Sequence, residues 1–141
     1  MEITREALAS YQSKKAEIKE LEWNLNNRWK SEKMIGNDVI FDYSKGYPMP
    51  QSVVGFDQIK YEAQQDRDLQ RKEHLETECR AIEDFVEAIP DSLTRRIFRL
   101  YYIEGKKQKE VAEAVHLDRS RISRKIDDFL KNAHKAQNAH L

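Results

Sequence analysis

The chain has 141 residues, 39% of them hydrophobic and 35% charged, with 25 basic and 25 acidic side chains balancing to zero net charge. That length allows one or two small domains. No apolar run approaches the roughly 18 residues of a membrane span, and the N-terminus, with Glu2 and Glu6, lacks the basic and apolar regions of a secretory signal.

A single cysteine, Cys79, allows no internal disulfide, which suits a reducing, cytoplasmic setting with no membrane partner. The four histidines (His74, His116, His134, His140) form no metal-ligand pattern with it, and no glycine-rich phosphate loop occurs. An enzyme is not expected, nor are cofactors. The charge is unevenly placed. Residues 1–90 hold 13 basic and 18 acidic side chains, whereas residues 91–141 hold 12 basic and 7 acidic ones. Such asymmetry suggests a nucleic-acid module joined to something else.

The first segment, about residues 4–34, places Leu8, Tyr11, Ile18, Leu21, Leu25 and Trp29 on one face of a long helix that Thr4 can cap. Trp23 lies off that stripe and points to a second contact such as another subunit. The pattern breaks at about residues 36–56, where three glycines, Pro48 and Pro50 stand among aromatic and branched residues. Two prolines one residue apart exclude regular helix there. The reading is a packed, ordered connection with room for a short strand around residues 39–43.

Asp57 can cap a second long helix running to about Ile89. Ile59 and Ala63 open its apolar face, and Leu75, Cys79, Ile82, Val86 and Ile89 close it in steps of three and four. Its charged middle, with only Leu69, reads either as solvated or as meeting a partner through charge. Cys79 sits on the stripe as a buried small hydrophobe. The two long helices form either an antiparallel hairpin or part of an intermolecular coiled coil, with a homo-oligomer expected.

Pro90 can open a third helix, with Asp91 favouring the same end. Leu93, Ile97, Leu100 and Tyr101 share one face of it, and Gly105 can close it in the left-handed conformation. A short fourth helix spans about residues 108–115. A fifth begins at Arg119 after an Asp118 cap and runs to about Ala133, leaving 134–141 as a frayed tail. Val111, Ala112 and Val115 of the fourth helix would pack against Ile122, Ile126 and Phe129 of the fifth, with Leu117 at the corner.

Two short helices, a tight turn and a basic leading end together suggest a helix-turn-helix. Four of the seven residues from Arg119 to Lys125 are basic. With Ile122 and Ile126 buried, Arg119, Ser120, Ser123 and Arg124 face outward and Arg121 and Lys125 flank them. Arginine can pair bidentately with guanine edges, and serine and lysine commonly hold phosphates. A basic helix face is also the ordinary solvated outside of a bundle, and that reading stays open.

The stretch "IPDSLTRRIFRLYYIEGKKQKEVAEAVHLDRSRISRKIDDFL", residues 89–130, resembles region 4 of bacterial sigma factors. The resemblance rests on Pro90, Arg96, Tyr102 and Gly105, then Gln108-Lys109-Glu110-Val111-Ala112, then Leu117-Asp118-Arg119-Ser120-Arg121-Ile122. The whole chain is also similar to small sigma-like transcription regulators of phages and prophages of Gram-positive bacteria, of the late-gene or autolysin type. Lys107 stands where that family often has a serine or threonine cap, and His116 replaces a turn glycine. No region 2 is recognisable, so a complete initiation factor is not implied.

The resemblance implies an all-α chain: a long-helix region at 1–89, a helix-turn-helix domain at 90–133, and a tail. It implies base reading by Arg119, Ser120, Ser123 and Arg124, with Arg121, Lys107 and Lys109 near backbone contacts; Lys125 and Gln108 join them as candidate contacts to double-stranded DNA. It also makes RNA polymerase a candidate partner. The alternatives are a DNA-binding protein like the small subunit of a phage terminase, and a helical module that docks onto protein.

Overall fold

The computed structural model describes residues 2–31, 41–42, 49–50 and 57–139, with side chains described at 2–29 and 57–135. Its helices are α1 (Arg5–Ala9), α2 (Tyr11–Ser31), α3 (Gln58–Glu87), α4 (Ser92–Phe98), α5 (Gln108–Val115) and α6 (Arg119–Ala139). The fold is all-α; the one other pairing among the described residues is a two-residue antiparallel contact of β1 (Phe41–Asp42) with β2 (Met49–Pro50). β1 lies where a short strand was expected. The remainder of the expected connection at 36–56 lies outside the described residues.

The chain divides into two compact units, one of residues 15–77 and one joining residues 1–14 to 78–141. This differs from a boundary at residues 89 and 90. The N-terminal residues and the end of α3 belong with the C-terminal helices because their apolar stripes share that core.

In the unit of residues 15–77, α2 and α3 are antiparallel partners, with Ile18, Leu21, Leu25, Tyr61 and Leu75 buried. Asp57 caps α3 as expected, its Oδ1 accepting from the Lys60 N–H at 3.0 Å. One expectation for α3 fails. Ile59 is 82% exposed and Ala63 is also exposed, while Tyr61 is buried and packs with Trp29 and Leu69. The charged middle follows the second of its two readings and meets a partner through charge: Gln65 and Asp68 are buried, and Asp68 pairs with Arg28 of α2.

A polar network makes that burial tolerable. Gln65 donates from Nε2 to the Leu25 carbonyl at 3.0 Å and accepts from Arg28, whose guanidinium also pairs with Asp68. Each buried polar group is thereby satisfied, which removes the cost of leaving it bare. Lys72 bridges Glu76 at 2.9 Å and Glu22 at 3.8 Å, and the hydrogen bond to Glu76 raises its pKa. Trp23 is 63% exposed.

In the other unit, the expected helix over 4–34 is interrupted. Thr4 caps α1 as expected, accepting from the Ala7 N–H at 3.1 Å. The helix then breaks at Ser10, whose hydroxyl donates to the Ala7 carbonyl at 2.6 Å. A serine hydroxyl bonding back to its own preceding turn competes with helix continuation. The start of α2 meets the end of α3 through Tyr11 and Glu83 (2.6 Å) and through Lys14 and Glu78 (3.2 Å). Burial, then the Glu83 carboxylate, pushes the Tyr11 hydroxyl well above the usual phenol range.

Cys79, Ile82, Val86 and Ile89 are buried on one stripe of α3 and the residues after it, as their spacing predicts. Asp91 caps α4 directly, accepting from the Thr94 N–H at 2.9 Å and the Thr94 hydroxyl at 2.6 Å; Pro90 stands before the cap instead of opening the helix.

α4 continues into a π-helical turn over Arg99–Ile103, shown by the Glu104 N–H donating to the Arg99 carbonyl at 2.9 Å. In this wider turn residues four and five apart stack. The buried face is therefore Thr94, Ile97, Phe98 and Tyr102, while Leu93, Leu100 and Tyr101 are only half-buried. Phe98 meets Phe129 edge-on at 5.2 Å and Tyr102 at 5.5 Å, and Phe129 meets Phe85 at 6.0 Å. Edge-on and tilted pairs of this kind suit the ring quadrupoles.

Candidate nucleic-acid interface

α5 and α6 are joined by residues 116–118, and the ends of both helices follow from local chemistry. His116 takes the left-handed conformation, φ 59°, and ends α5; the Leu117 N–H then reaches back to the Ala112 carbonyl at 3.0 Å. This is the closing pattern usually supplied by glycine. At the other end Glu110 reaches back to the Lys107 N–H at 3.4 Å, filling one orphan donor where a serine or threonine was missing. Val111, Ala112 and Val115 of α5 and Ile122 and Ile126 of α6 are buried, so both helices are held by apolar faces.

Asp118 behaves differently from the cap expected of it. Its carbonyl accepts from the Arg121 and Ile122 N–H groups, both at 3.1 Å, and its carboxylate lies 3.9 Å from Arg121 Nε. The side chain thus tempers the charge of Arg121 instead of closing the first turn. α6 also continues to Ala139, beyond the end expected near Ala133, so residues 134–139 are helical and not a tail.

Anchoring Ile122 and Ile126 turns Arg119, Ser120, Arg121 and Arg124 outward, all of them exposed. Ser123 and Lys125 are half-buried. Lys125, with Arg95, stands near enough to Asp91 to favour its ionised form, although the hydrogen bonds from Thr94 are the larger cause of its lowered pKa. Lys107 and Lys109 are exposed and Gln108 is half-buried at the start of α5. Arg119, Lys107 and Gln108 are brought together at one cleft, whereas Lys109, Ser123 and Arg124 are not part of it.

Several nearby side chains carry no sequence signal that would have placed them here. Arg5 of α1 pairs with Asp127 of α6, and His134 lies 3.8 Å from Glu2. Arg5 thereby offsets the negative charge of Asp127 on the exposed face of α6. Gln12 donates from Nε2 to the Tyr102 carbonyl at 3.1 Å and also to that of Ile103, satisfying orphan carbonyls at the end of the π-helical turn. Gly105, at φ 72°, follows directly, and a Cβ there would meet Gln12 Cδ at 3.0 Å.

Among the described residues no helix is long and apolar enough to cross a membrane, and no group of three or more His, Cys, Asp or Glu side chains could hold a metal ion. No protein-family model matches the chain, and no curated protein or solved structure matches it either.

Proposed function

We propose that the chain is a sequence-specific regulator of transcription that binds double-stranded DNA through a sigma region 4-like helix-turn-helix formed by α5 and α6. The observation that carries the reading is the exposed leading end of α6. Arg119, Ser120, Arg121 and Arg124 project from a helix whose opposite face is locked by Ile122 and Ile126. A rigid helix with exposed arginines in its first two turns has the form that major-groove readers share.

In this reading Arg119 and Arg124 read bases, Ser120 and Ser123 assist, and Arg121, Lys125, Lys107, Gln108 and Lys109 hold the backbone. Self-association through the long helices and contact with RNA polymerase belong to the same proposal. The exposed Trp23 is what supports self-association. Light scattering of Trp23→Ala beside the parent chain checks it, with a smaller mass expected for the variant.

The test of DNA binding begins with selection of a preferred duplex from random sequence. Arg119→Ala or Arg124→Ala should cost roughly 1–3 kcal/mol on that duplex and relax discrimination at one position. Lys107→Ala or Lys109→Ala should weaken preferred and scrambled duplexes alike and lower the salt slope by about one unit. Unchanged binding of both duplexes by both arginine variants would remove the reading and favour a protein-docking module.

A further inference from the structure

A cleft of about 590 Å³ opens between α1, the start of α2, the π-helical turn and the start of α5, within the size range of small-molecule sites. Its walls divide by chemistry. Leu8, Ala9, Tyr101 and Tyr102 supply apolar and aromatic surface, and the Tyr101 and Tyr102 rings stand edge-to-face at 4.8 Å. Lys106, Lys107 and Arg119 supply three cations, and the lining contains no carboxylate.

In a chain with as many acidic as basic side chains, that local imbalance calls for an explanation. Arg5, Lys14, Arg28 and Lys72 each have a carboxylate partner, whereas among the described residues Lys106, Lys107 and Arg119 make no ion pair. The acids nearest in sequence, Glu104, Glu110 and Asp118, all lie outside the lining; Glu110 turns its carboxylate to the Lys107 amide, and Asp118 lies beside Arg121. Uncompensated cations on a concave, partly apolar surface concentrate positive potential. The first-turn amides of α5, an eight-residue helix, add to it.

We propose that this cleft binds a small aromatic anion of nucleotide size, its ring against Tyr101 and Ala9 and its anionic group on Lys106, Lys107 and Arg119. Aromatic faces accept a flat ring by offset or edge-on packing, and the guanidinium can lie over it. The binding step is independent of the duplex reading. A second step rests on that reading: the ligand occupies Lys107 and Arg119, so it competes with duplex and acts as an effector.

Guanosine monophosphate is the probe, with guanosine and inorganic phosphate as its separate halves. Titrated into the isotope-labelled full chain and followed by amide NMR, the nucleotide should shift Gln12, Gly105, Lys106 and Gln108 with a dissociation constant below about 1 mM. Binding should weaken with added salt. Each half alone should bind at least about tenfold more weakly, a difference of about 1.4 kcal/mol. Lys106→Ala and Ala9→Trp, the second filling the cleft from an exposed position, should each abolish the shifts while leaving the thermal midpoint unchanged.

No saturating shift, phosphate binding as tightly as the nucleotide, or unchanged binding by both variants would overturn the cleft assignment. Competition against the selected duplex separates the two steps. Loss of duplex binding as the nucleotide saturates supports the effector role, and undiminished duplex binding overturns it. A chain that binds nucleotide here but no duplex at all refutes the duplex reading and leaves the cleft assignment standing.

Discussion

The Arg28 network gives the sharpest energetic prediction. Arg28 and Asp68 retain only 13% and 10% of their side-chain exposure, and the same guanidinium also donates to the buried Gln65. Removing one partner of a buried pair leaves an uncompensated charge, at a cost of about 3–5 kcal/mol when burial is complete. Here Arg28 keeps its Gln65 bond when Asp68 is lost, so Asp68→Ala should cost about 2–4 kcal/mol. Arg28→Met should cost a similar amount. It leaves Asp68 with the exposed Arg67, 3.7 Å away, and leaves Gln65 Oε1 without that donor.

The double variant Arg28→Met/Asp68→Leu removes both charges and fills the space with apolar atoms. It should be destabilised by about 1–3 kcal/mol, because both charges are gone but the buried Gln65 Oε1 still loses its donor, and so by clearly less than the sum of the two singles. Urea unfolding of the full chain checks this, followed by fluorescence of Trp23 and Trp29, both in the same unit, where Trp29 packs against Tyr61. The quantity that decides is the coupling between the two sites. If the double variant is destabilised by the sum of the singles, the two side chains act independently and the account of a satisfied buried network is wrong.

Other consequences are simpler. His116→Gly should stabilise the chain by about 0.5–1 kcal/mol, because glycine adopts the left-handed conformation without the Cβ penalty that histidine bears at φ 59°; thermal unfolding checks it. Gly105→Ala should destabilise by at least about 1 kcal/mol, since it combines φ 72° with a 3.0 Å approach to Gln12; chemical denaturation reads it. The Asp91 carboxyl is held below its ordinary pKa by the Thr94 hydrogen bonds, so its contribution is present above the ordinary carboxyl range and lost as pH falls through the lowered value. The difference in thermal midpoint between parent and Asp91→Ala should be full at neutral pH and shrink on acidification.

What the amino-acid pattern revealed, and what it hid, divides by the range of the interactions. Leu75, Cys79, Ile82, Val86 and Ile89 repeat at helical steps, and their burial follows from that rhythm alone. The caps at Thr4 and Asp57 were equally legible because a capping side chain acts within its own first turn. Gln65 and Asp68 were hidden because apolar periodicity gives polar residues no buried role, and their partner Arg28 lies far away in sequence. Ile59 misled for the complementary reason, since a branched apolar residue at a helix start need not face a neighbour.

At the interface, Arg119, Ser120 and Arg124 of the outward set could be inferred once Ile122 and Ile126 were assigned inward, whereas Ser123 is half-buried and the flanking Arg121 is the exposed one. The cleft could not. It depends on Gln12 and Tyr102 meeting across 90 residues, which no local pattern encodes. Beyond Phe98 the π-helical turn moves the buried position from Tyr101 to Tyr102, and such a local change of period leaves no mark in the apolar pattern.

The unit that contains α5 and α6 is built from the two ends of the chain, with residues 15–77 intervening. That order has a consequence for synthesis. The unit of residues 15–77 is complete in sequence once residue 77 has left the ribosome, but Tyr11 and Gln12 must wait for partners translated some 70 to 90 residues later. Closing so long a loop of free chain costs entropy that grows with the logarithm of its length. A hairpin formed first shortens the span of disordered chain to be closed, so α2 and α3 should fold early and the unit bearing α5 and α6 last. Pulse-labelling hydrogen exchange during refolding would show that sequence, with protection of α2 and α3 amides preceding that of α6.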